Sequence, residues 1–351
     1  MAVSTIDPNG LNIGQIGGTR NKIINGAMTI DQRNAGAAVT LGASGSFPVD
    51  RWKSHEDTDG SATAQQVSDA PAGFSNSIKV TVTSTDASLT GLQYFDVRQQ
   101  IEGYNIADLS FGTAAAKAVT ISFWVKSSVT GTYGGGISNG AFNRSYPFTY
   151  SISAADTWEY KTITISGDTS GTWTTTNGTG MYLFFNLGSG PDYAGTAGQW
   201  NAAGDLAATG TTNLIATSGA TFYITGVQLE VGDTATPFEH RSYGAELALC
   251  QRYYRQMQIR VGCLPWAGTG GGFGGETTQL NPNMRAAPSV TQLSTPTYSS
   301  TVGALPNATT GSSSSVNVNH ATTASRVLIQ NNASTSVIFS VSTNNAYDAE
   351  I

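Results

Sequence analysis

Charge is the scarcest property of this 351-residue sequence. Asp, Glu, Lys and Arg make up 11% of it, against about 25% in an average globular protein, so hydroxyls and amides must wet most of the surface. The 17 Lys and Arg are scattered and the net charge is −6, which excludes the clustered cations of a general nucleic-acid binder. No apolar run approaches the length of a membrane-spanning helix. The opening Met1-Ala2-Val3-Ser4-Thr5-Ile6-Asp7-Pro8 lacks the charged and apolar regions of a secretory signal, so synthesis in a cytoplasm without membrane insertion is expected. Cysteine is nearly absent. Cys250 and Cys263 offer no disulfide framework or metal-ligand spacing and read as two reduced structural thiols. With only His55, His240 and His320, a nucleophile–base triad would need distant pieces to converge. Neither a phosphate-loop Gly-Lys-Ser/Thr string nor a Gly-x-Ser-x-Gly elbow occurs. The run Gly270-Gly271-Gly272-Phe273-Gly274-Gly275 has dinucleotide glycine spacing but no preceding parallel strand or following helix, and reads as a flexible loop.

What is abundant points the other way. Gly contributes 41 residues, and Thr, Ser, Ala and Asn dominate the remainder. Thr, Val, Ile and Tyr favour strands, while Gly, Asn, Asp and Pro punctuate turns, so an all-β chain is expected. Residues 1–20 form an extended, Gly-punctuated arm whose Ile6, Leu11, Ile13 and Ile16 are too few to make a core and are expected to dock on a partner.

From 21 to 240 the pattern is short strands between turn clusters. Ile78, Val80 and Val82 alternate with Lys79, Thr81 and Thr83, and Ile121, Phe123 and Val125 alternate with Ser122, Trp124 and Lys126, the period of half-buried strands. Met181-Tyr182-Leu183-Phe184-Phe185 is apolar on both parities, as in a strand covered on both faces. Between 222 and 231 the parity changes: Phe222 and Ile224 share one phase, Val227, Leu229 and Val231 the other. A β-bulge at Thr225-Gly226 would restore a single buried face. These strands predict a jelly-roll β-sandwich over 21–240. Ala245, Leu249 and Tyr253 recur at helical spacing from about 242 to 253 and predict a short helical connector at 241–256, which Tyr253 and Tyr254 pack. A glycine loop at 268–275 and a second, smaller β domain at 257–351 follow. Within that domain 309–314 reads as a flexible turn.

The string Asn21-Lys22-Ile23-Ile24-Asn25-Gly26-Ala27-Met28, then Asp31-Gln32-Arg33 and Asp50-Arg51-Trp52, resembles the opening of many phage tail-fibre and virion structural proteins. Gly226-Val227-Gln228-Leu229-Glu230-Val231-Gly232 with Ala235-Thr236-Pro237-Phe238-Glu239-His240-Arg241 is the most specific match. Met284-Arg285-Ala286-Ala287-Pro288 and the closing Asp348-Ala349-Glu350-Ile351 resemble the second β domain of the same proteins. The resemblance runs through nearly the whole chain in order. It implies a virion component with a jelly-roll domain like those of carbohydrate-binding modules, often a tail fibre attached through its arm to other virion proteins and commonly a homotrimer. A head fibre or capsid decoration protein would carry the same motifs.

Trp and Tyr are the candidate functional groups, because sugars stack their apolar faces on such rings. Trp124 falls on the polar parity of its strand, and Trp173, Tyr193 and Trp200 sit in Gly/Thr/Asn-rich segments. Each serves equally well to grip bacterial surface polysaccharide, to plug a subunit interface or to cap the sandwich. Trp52 and Trp158 read as core or strand-edge residues. A polysaccharide depolymerase would need two carboxylates, for which Glu102 with Asp108, Asp156 with Glu159, and Glu56, Asp57 and Asp59 are the nearest sets. Ordinary turn acids are the favoured reading, and no enzyme is expected. No cofactor is expected either, although Asp57-Thr58-Asp59-Gly60 leaves room for a structural calcium, which takes oxygen ligands.

Overall fold

The computed structural model describes residues 20–263, 272–293, 297–300, 309–312, 317–322, 326–333 and 339–350. Ile6, Leu11, Ile13 and Ile16 of the expected docking arm lie outside them. The chain divides into two compact units, Met1–Tyr243 and Gly244–Ile351.

In the first unit two six-stranded antiparallel sheets pack face to face. The first sheet runs, in spatial order, β1 (Val39–Thr40), β4 (Ser61–Val67), β5 (Ser77–Ser84), β14 (Thr221–Val231), β7 (Val119–Ser127) and β10 (Glu159–Ile165). The second runs β2 (Ser46–Val49), β3 (Trp52–Asp57), β6 (Tyr94–Glu102), β11 (Thr179–Ser189), β8 (Gly131–Asn139) and β9 (Ser145–Ile152), and a short parallel pair, β12 (Ala194–Gly195) and β13 (Ala207–Ala208), stands apart from both. Strand alternation turns Val80, Ile121, Phe123 and Phe222 of the first sheet toward Phe95, Val97, Leu183 and Phe185 of the second, and all are buried. Phe123 meets Phe185 edge-on at 4.8 Å and Tyr150 at 5.0 Å. This is the expected all-β sandwich. Trp52 is fully buried, its Nε1 donating to the Asn25 carbonyl at 2.9 Å.

The bulge expected in β14 is present. Thr225 stands opposite Trp124 and Gln228 opposite Ser122, so β14 advances three residues while β7 advances two. Gly226 takes a left-handed φ of +61° there, a region that glycine enters without a Cβ clash. The bulge lets Phe222 and Ile224 before it, and Val227 and Leu229 after it, all face the core.

The opening motif finds its physical reason along the same strand. Lys22 N donates to the Leu229 carbonyl at 2.8 Å, Val227 N to the Gly26 carbonyl at 2.9 Å, and Leu229 N to Asn21 Oδ1 at 3.0 Å. Gly26 is required because a Cβ there would lie 2.2 Å from the Val227 carbonyl oxygen.

The run from Met181 to Phe185 is covered on both sides, as its double parity implied. Met181, Leu183 and Phe185 join the core, while Phe184 on the opposite face is buried beneath Arg98, whose guanidinium lies 5.0 Å from its ring. Arg98 pairs with the fully buried Asp96. Burial alone would push the Asp96 carboxyl up, but Arg98 and His55 outweigh it and hold it below the usual carboxylate range.

In the second unit β15 (Tyr254–Cys263), β22 (Phe339–Asp348), β18 (Thr297–Ser300) and β19 (Thr309–Ser312) form one sheet, with β17 (Ser289–Gln292) also on β22. A three-stranded sheet holds β16 (Gly272–Gln279), β21 (Arg326–Ala333) and β20 (Asn317–Thr322). The helix α1 (Tyr243–Gln251) is shorter than its apolar spacing implied, because Tyr253 N turns back to the Cys250 carbonyl and β15 starts at Tyr254. Two loop expectations are corrected. The glycine run continues as a strand from Gly272, paired residue for residue with β21, and 309–312 is strand β19. Ladder hydrogen bonds are made by the main chain, so a partner strand can order a segment whose side chains offer no pattern. The motif around Arg285 and the closing motif touch, since Arg285 Nε donates to the Ala349 carbonyl at 2.9 Å.

Candidate functional site

Alternation along β7 buries Phe123 and Val125 and so sends Ser122 and Trp124 to the outer face of the first sheet. On neighbouring β10, Tyr160 stands directly opposite Trp124, and Thr162 opposite Ser122. The Trp124 and Tyr160 rings are 5.3 Å apart at 48°. Trp124 is half-buried, and Tyr160 is 45% exposed. On the other side of β7, the β14 bulge places Gly226 beside Trp124. A Cβ at Gly226 would meet Phe74 Cζ at 2.7 Å and Trp124 Cδ1 at 3.1 Å. The edges of these two rings therefore converge over a backbone that must be glycine.

The opposite wall is the segment 235–240, which follows β14. Phe238 lies 5.0 Å from Phe74 in an edge contact, and His240 lies 5.4 Å from Phe74 and 4.9 Å from Phe238. This segment carries no regular structure of its own and is held by the outward side chains of β14. Thr236 N donates to Glu230 Oε1 at 2.8 Å, Thr236 Oγ1 to Glu230 Oε2 at 2.6 Å, and Glu239 N to Gln228 Oε1 at 2.8 Å. Gln228 Nε2 bridges to Glu230 Oε1 at 2.9 Å. Glu239 in turn accepts from Asn21 N at 2.8 Å, and Arg20 Nε lies 3.5 Å from Glu230. The most specific string in the sequence is thus a strap: Gln228 and Glu230 tie the Thr236-Pro237-Phe238 wall to the sheet.

Between the walls is an open groove of about 570 Å³, within the range of small-ligand sites. Rings of Phe74, Trp124, Tyr160, Phe238 and His240 line it, with Ser122, Thr162 and Thr236 supplying hydroxyls and Ala72, Gly73, Gly226, Ala235 and Pro237 completing it. The wall carrying Phe74 is tethered farther back. Asp69 accepts from Lys126 Nζ and, at 3.2 Å, from Trp158 Nε1, while Lys126 Nζ sits 4.2 Å from the Tyr223 ring. The Lys126 hydrogen bond, with that of Trp158, holds the Asp69 carboxyl below the usual range against a weaker push from burial. A depressed folded pKa adds stability above the unfolded pKa that is lost as pH falls through the folded one. With 49% of the Asp69 side chain exposed, this pair contributes less than about 1 kcal/mol. Asp69→Asn is therefore expected to lower neutral-pH stability by less than that, the difference from wild type disappearing in acid. Urea titrations at several pH values check it.

The structure separates the other candidates. Trp173 lies outside the groove: it is only 7% exposed, packs edge-on against Phe111 at 4.9 Å and Trp200 at 5.6 Å, and donates from Nε1 to Asp168 Oδ2 at 3.2 Å. It offers a sugar no free face. Trp173→Phe is expected to cost about 1–2 kcal/mol through lost packing and the lost donor, as thermal unfolding will show. Trp200 is half-buried as a cap on the same cluster, its Nε1 donating to the Ser166 carbonyl at 2.8 Å. Tyr193 is half-buried against Tyr94 at 5.5 Å. Trp124 alone of the four lines the groove.

The carboxylate sets lie outside the groove. Glu102 is buried, and Asp108 pairs with Lys22 at 2.8 Å. Glu159 pairs with Lys161 at 2.6 Å, and Asp156 is exposed. Glu56 accepts from Thr58 N at 2.9 Å, and Asp59 N donates to Asp86 Oδ2 at 3.1 Å. Burial raises the Glu56 carboxyl, against the lowering by its Thr58 hydrogen bonds. No group of three or more His, Cys, Asp or Glu side chains that could hold a metal ion occurs among the described residues.

Phe74, Tyr160, Phe238 and His240 were not singled out from the sequence. Tyr160 was within reach, on the polar parity of a strand beside Thr162. The other three stand in irregular segments without periodicity.

The sequence matches no protein-family model and no curated protein. Among solved structures, the chain is similar to the enzymatically active domain of bacteriophage CBA120 tailspike protein 4, at 12% identity over 61% of this chain with a TM-score of 0.33. It spans 22% of that tailspike chain. It is also similar to a family 11 carbohydrate-binding module of a Clostridium thermocellum cellulosomal cellulase (16% identity, 60% of this chain and 100% of that one, TM-score 0.29). A third is TmCBM61 in complex with β-1,4-galactotriose (12% identity, 61% of this chain and 100% of that one, TM-score 0.29).

Proposed function

We propose that this protein is a non-catalytic glycan-binding subunit of a bacteriophage virion, a tail fibre that holds bacterial surface polysaccharide in the groove on its first sheet. The observation that carries the glycan reading is the groove itself: the rings of Trp124, Tyr160, Phe74, Phe238 and His240 line it, and the next cross-strand pair along, Ser122 and Thr162, adds hydroxyls to the lining. Aromatic faces take the C–H faces of a pyranose, and hydroxyls and the imidazole answer its hydroxyl groups. Glycoside cleavage requires a pair of carboxylates across the bond, and none of the residues lining this groove is Asp or Glu. That supports a binder over a depolymerase. The phage setting is supported by the order of motifs along the chain, and attachment through residues 1–20 to other virion proteins, as a homotrimer, completes the proposal.

A glycan array of host-surface polysaccharides, read with the wild-type protein and the Trp124→Ala variant, tests the binding half. Equal signal from both proteins would remove the groove from the proposal. Density for this chain on an intact particle tests the other half, since a position on the head would make it a head fibre or decoration protein.

A further inference from the structure

The groove carries no acidic side chain and no Lys or Arg among its thirteen lining residues, and its two walls are built from aromatic rings. Cations do stand close by, but each is already answered by a carboxylate. Lys126, two residues along β7 from Trp124, is bound by Asp69; Lys161, opposite Phe123, is turned by strand alternation to the other face of the sheet, where it pairs with Glu159 at 2.6 Å. Arg20, which donates to the Pro237 carbonyl, lies 3.5 Å from Glu230, and Arg241, next to His240, lies 3.3 Å from Glu239. The rim is thus a set of closed ion pairs around an uncharged interior.

A sugar hydroxyl entering this space exchanges water for Ser122, Thr162, Tyr160 or His240 at little cost. A uronate carboxylate or a phosphate would lose its water to ring faces with no Lys or Arg in the lining to receive it, and burying an unpaired charge is far more expensive than burying a hydroxyl. The chain's net charge of −6 adds a long-range repulsion toward a polyanion.

We infer that the ligand of this groove is an uncharged glycan, and that sugars bearing carboxylate or phosphate are excluded from it. This rests on the glycan-binding reading above and deepens it.

The test titrates the full-length protein with pairs of oligosaccharides that share a backbone, a neutral glucan or galactan and its uronate counterpart, at low and physiological salt. The neutral member is expected to bind at least about tenfold more tightly. Two single-charge variants, Thr162→Lys and His240→Lys, each place an unpaired ammonium on an exposed position of the lining, and either is expected to shrink that preference. Each is first checked for wild-type circular dichroism, and two independent sites guard against one failing to fold. Equal or tighter binding of the uronate by the wild type would overturn the inference while leaving glycan binding intact. So would charge variants that fold and keep the full preference. If neither member of any pair binds, the glycan reading itself fails, and this inference with it.

Discussion

Replacing Trp124 with alanine is expected to weaken the proposed glycan binding roughly thirtyfold, about 2 kcal/mol, the usual loss for an aromatic anchor at the centre of a recognition surface. The fold should barely notice. Trp124 belongs to the outer parity of β7, and its neighbours Phe123 and Val125, both fully buried, keep the strand on the core. Calorimetric titration and thermal unfolding on the same preparation read the two effects separately. Tyr160→Ala should lose less, because 45% of Tyr160 remains exposed and the Trp124 face survives. The double variant should lose less than the sum of the two, since rings 5.3 Å apart bury a ligand jointly and contacting residues are not additive. A Trp124→Ala protein that unfolds as readily as it loses binding would mean that the ring serves the sheet and not a ligand.

Much of what places Trp124 was legible in the sequence. Period-two alternation in β7 separated its core residues from its outer ones, and the phase change between Ile224 and Val227 located the bulge. Both are local signals with a simple physical origin in strand geometry. The rest of the groove was not legible, because it is built by register and by loops. Tyr160 becomes a groove residue only when β10 pairs with β7 so that it lands opposite Trp124. Phe74 and Phe238 meet across segments with no pattern of their own, brought together by the Gln228 and Glu230 strap and the Asp69 tether. The same limit left Trp173 undecided: its small, polar neighbours in sequence left binding, interface and capping roles open, and it is Phe111 and Trp200, distant in sequence, that bury it. Asp96 and Arg98 show the converse. Charged residues on a strand read as solvent-facing, but here the outer face of the second sheet is itself covered, and the two are buried as a pair.

The bulge offers the most severe test of how the groove is made. Gly226→Val is expected to destabilise the first unit by about 3 kcal/mol, from a β-branched residue forced to positive φ together with overpacking. The new Cβ would lie 2.7 Å from Phe74 Cζ and 3.1 Å from Trp124 Cδ1, so the two rings must part or the backbone must leave φ +61°. Either response removes the convergence that forms the floor of the groove, and glycan binding should fall with stability. Gly226→Ala should cost less on the backbone and nearly as much in binding, because both clashes involve the Cβ itself. Deleting Gly226 asks a different question. Without the extra residue, Val227 would follow Thr225 directly, and Phe222, Ile224, Val227, Leu229 and Val231 would share one face by plain alternation, with Gln228 still opposite Ser122. That variant is expected to fold with a regular strand, and chemical denaturation followed by tryptophan fluorescence should show a cooperative transition, while the proposed glycan binding falls because the bulge that holds Gly226 beside Trp124 is gone. A deletion variant without a cooperative transition would mean that the extra residue does more than absorb the phase change, and that the two halves of the strand cannot align without it.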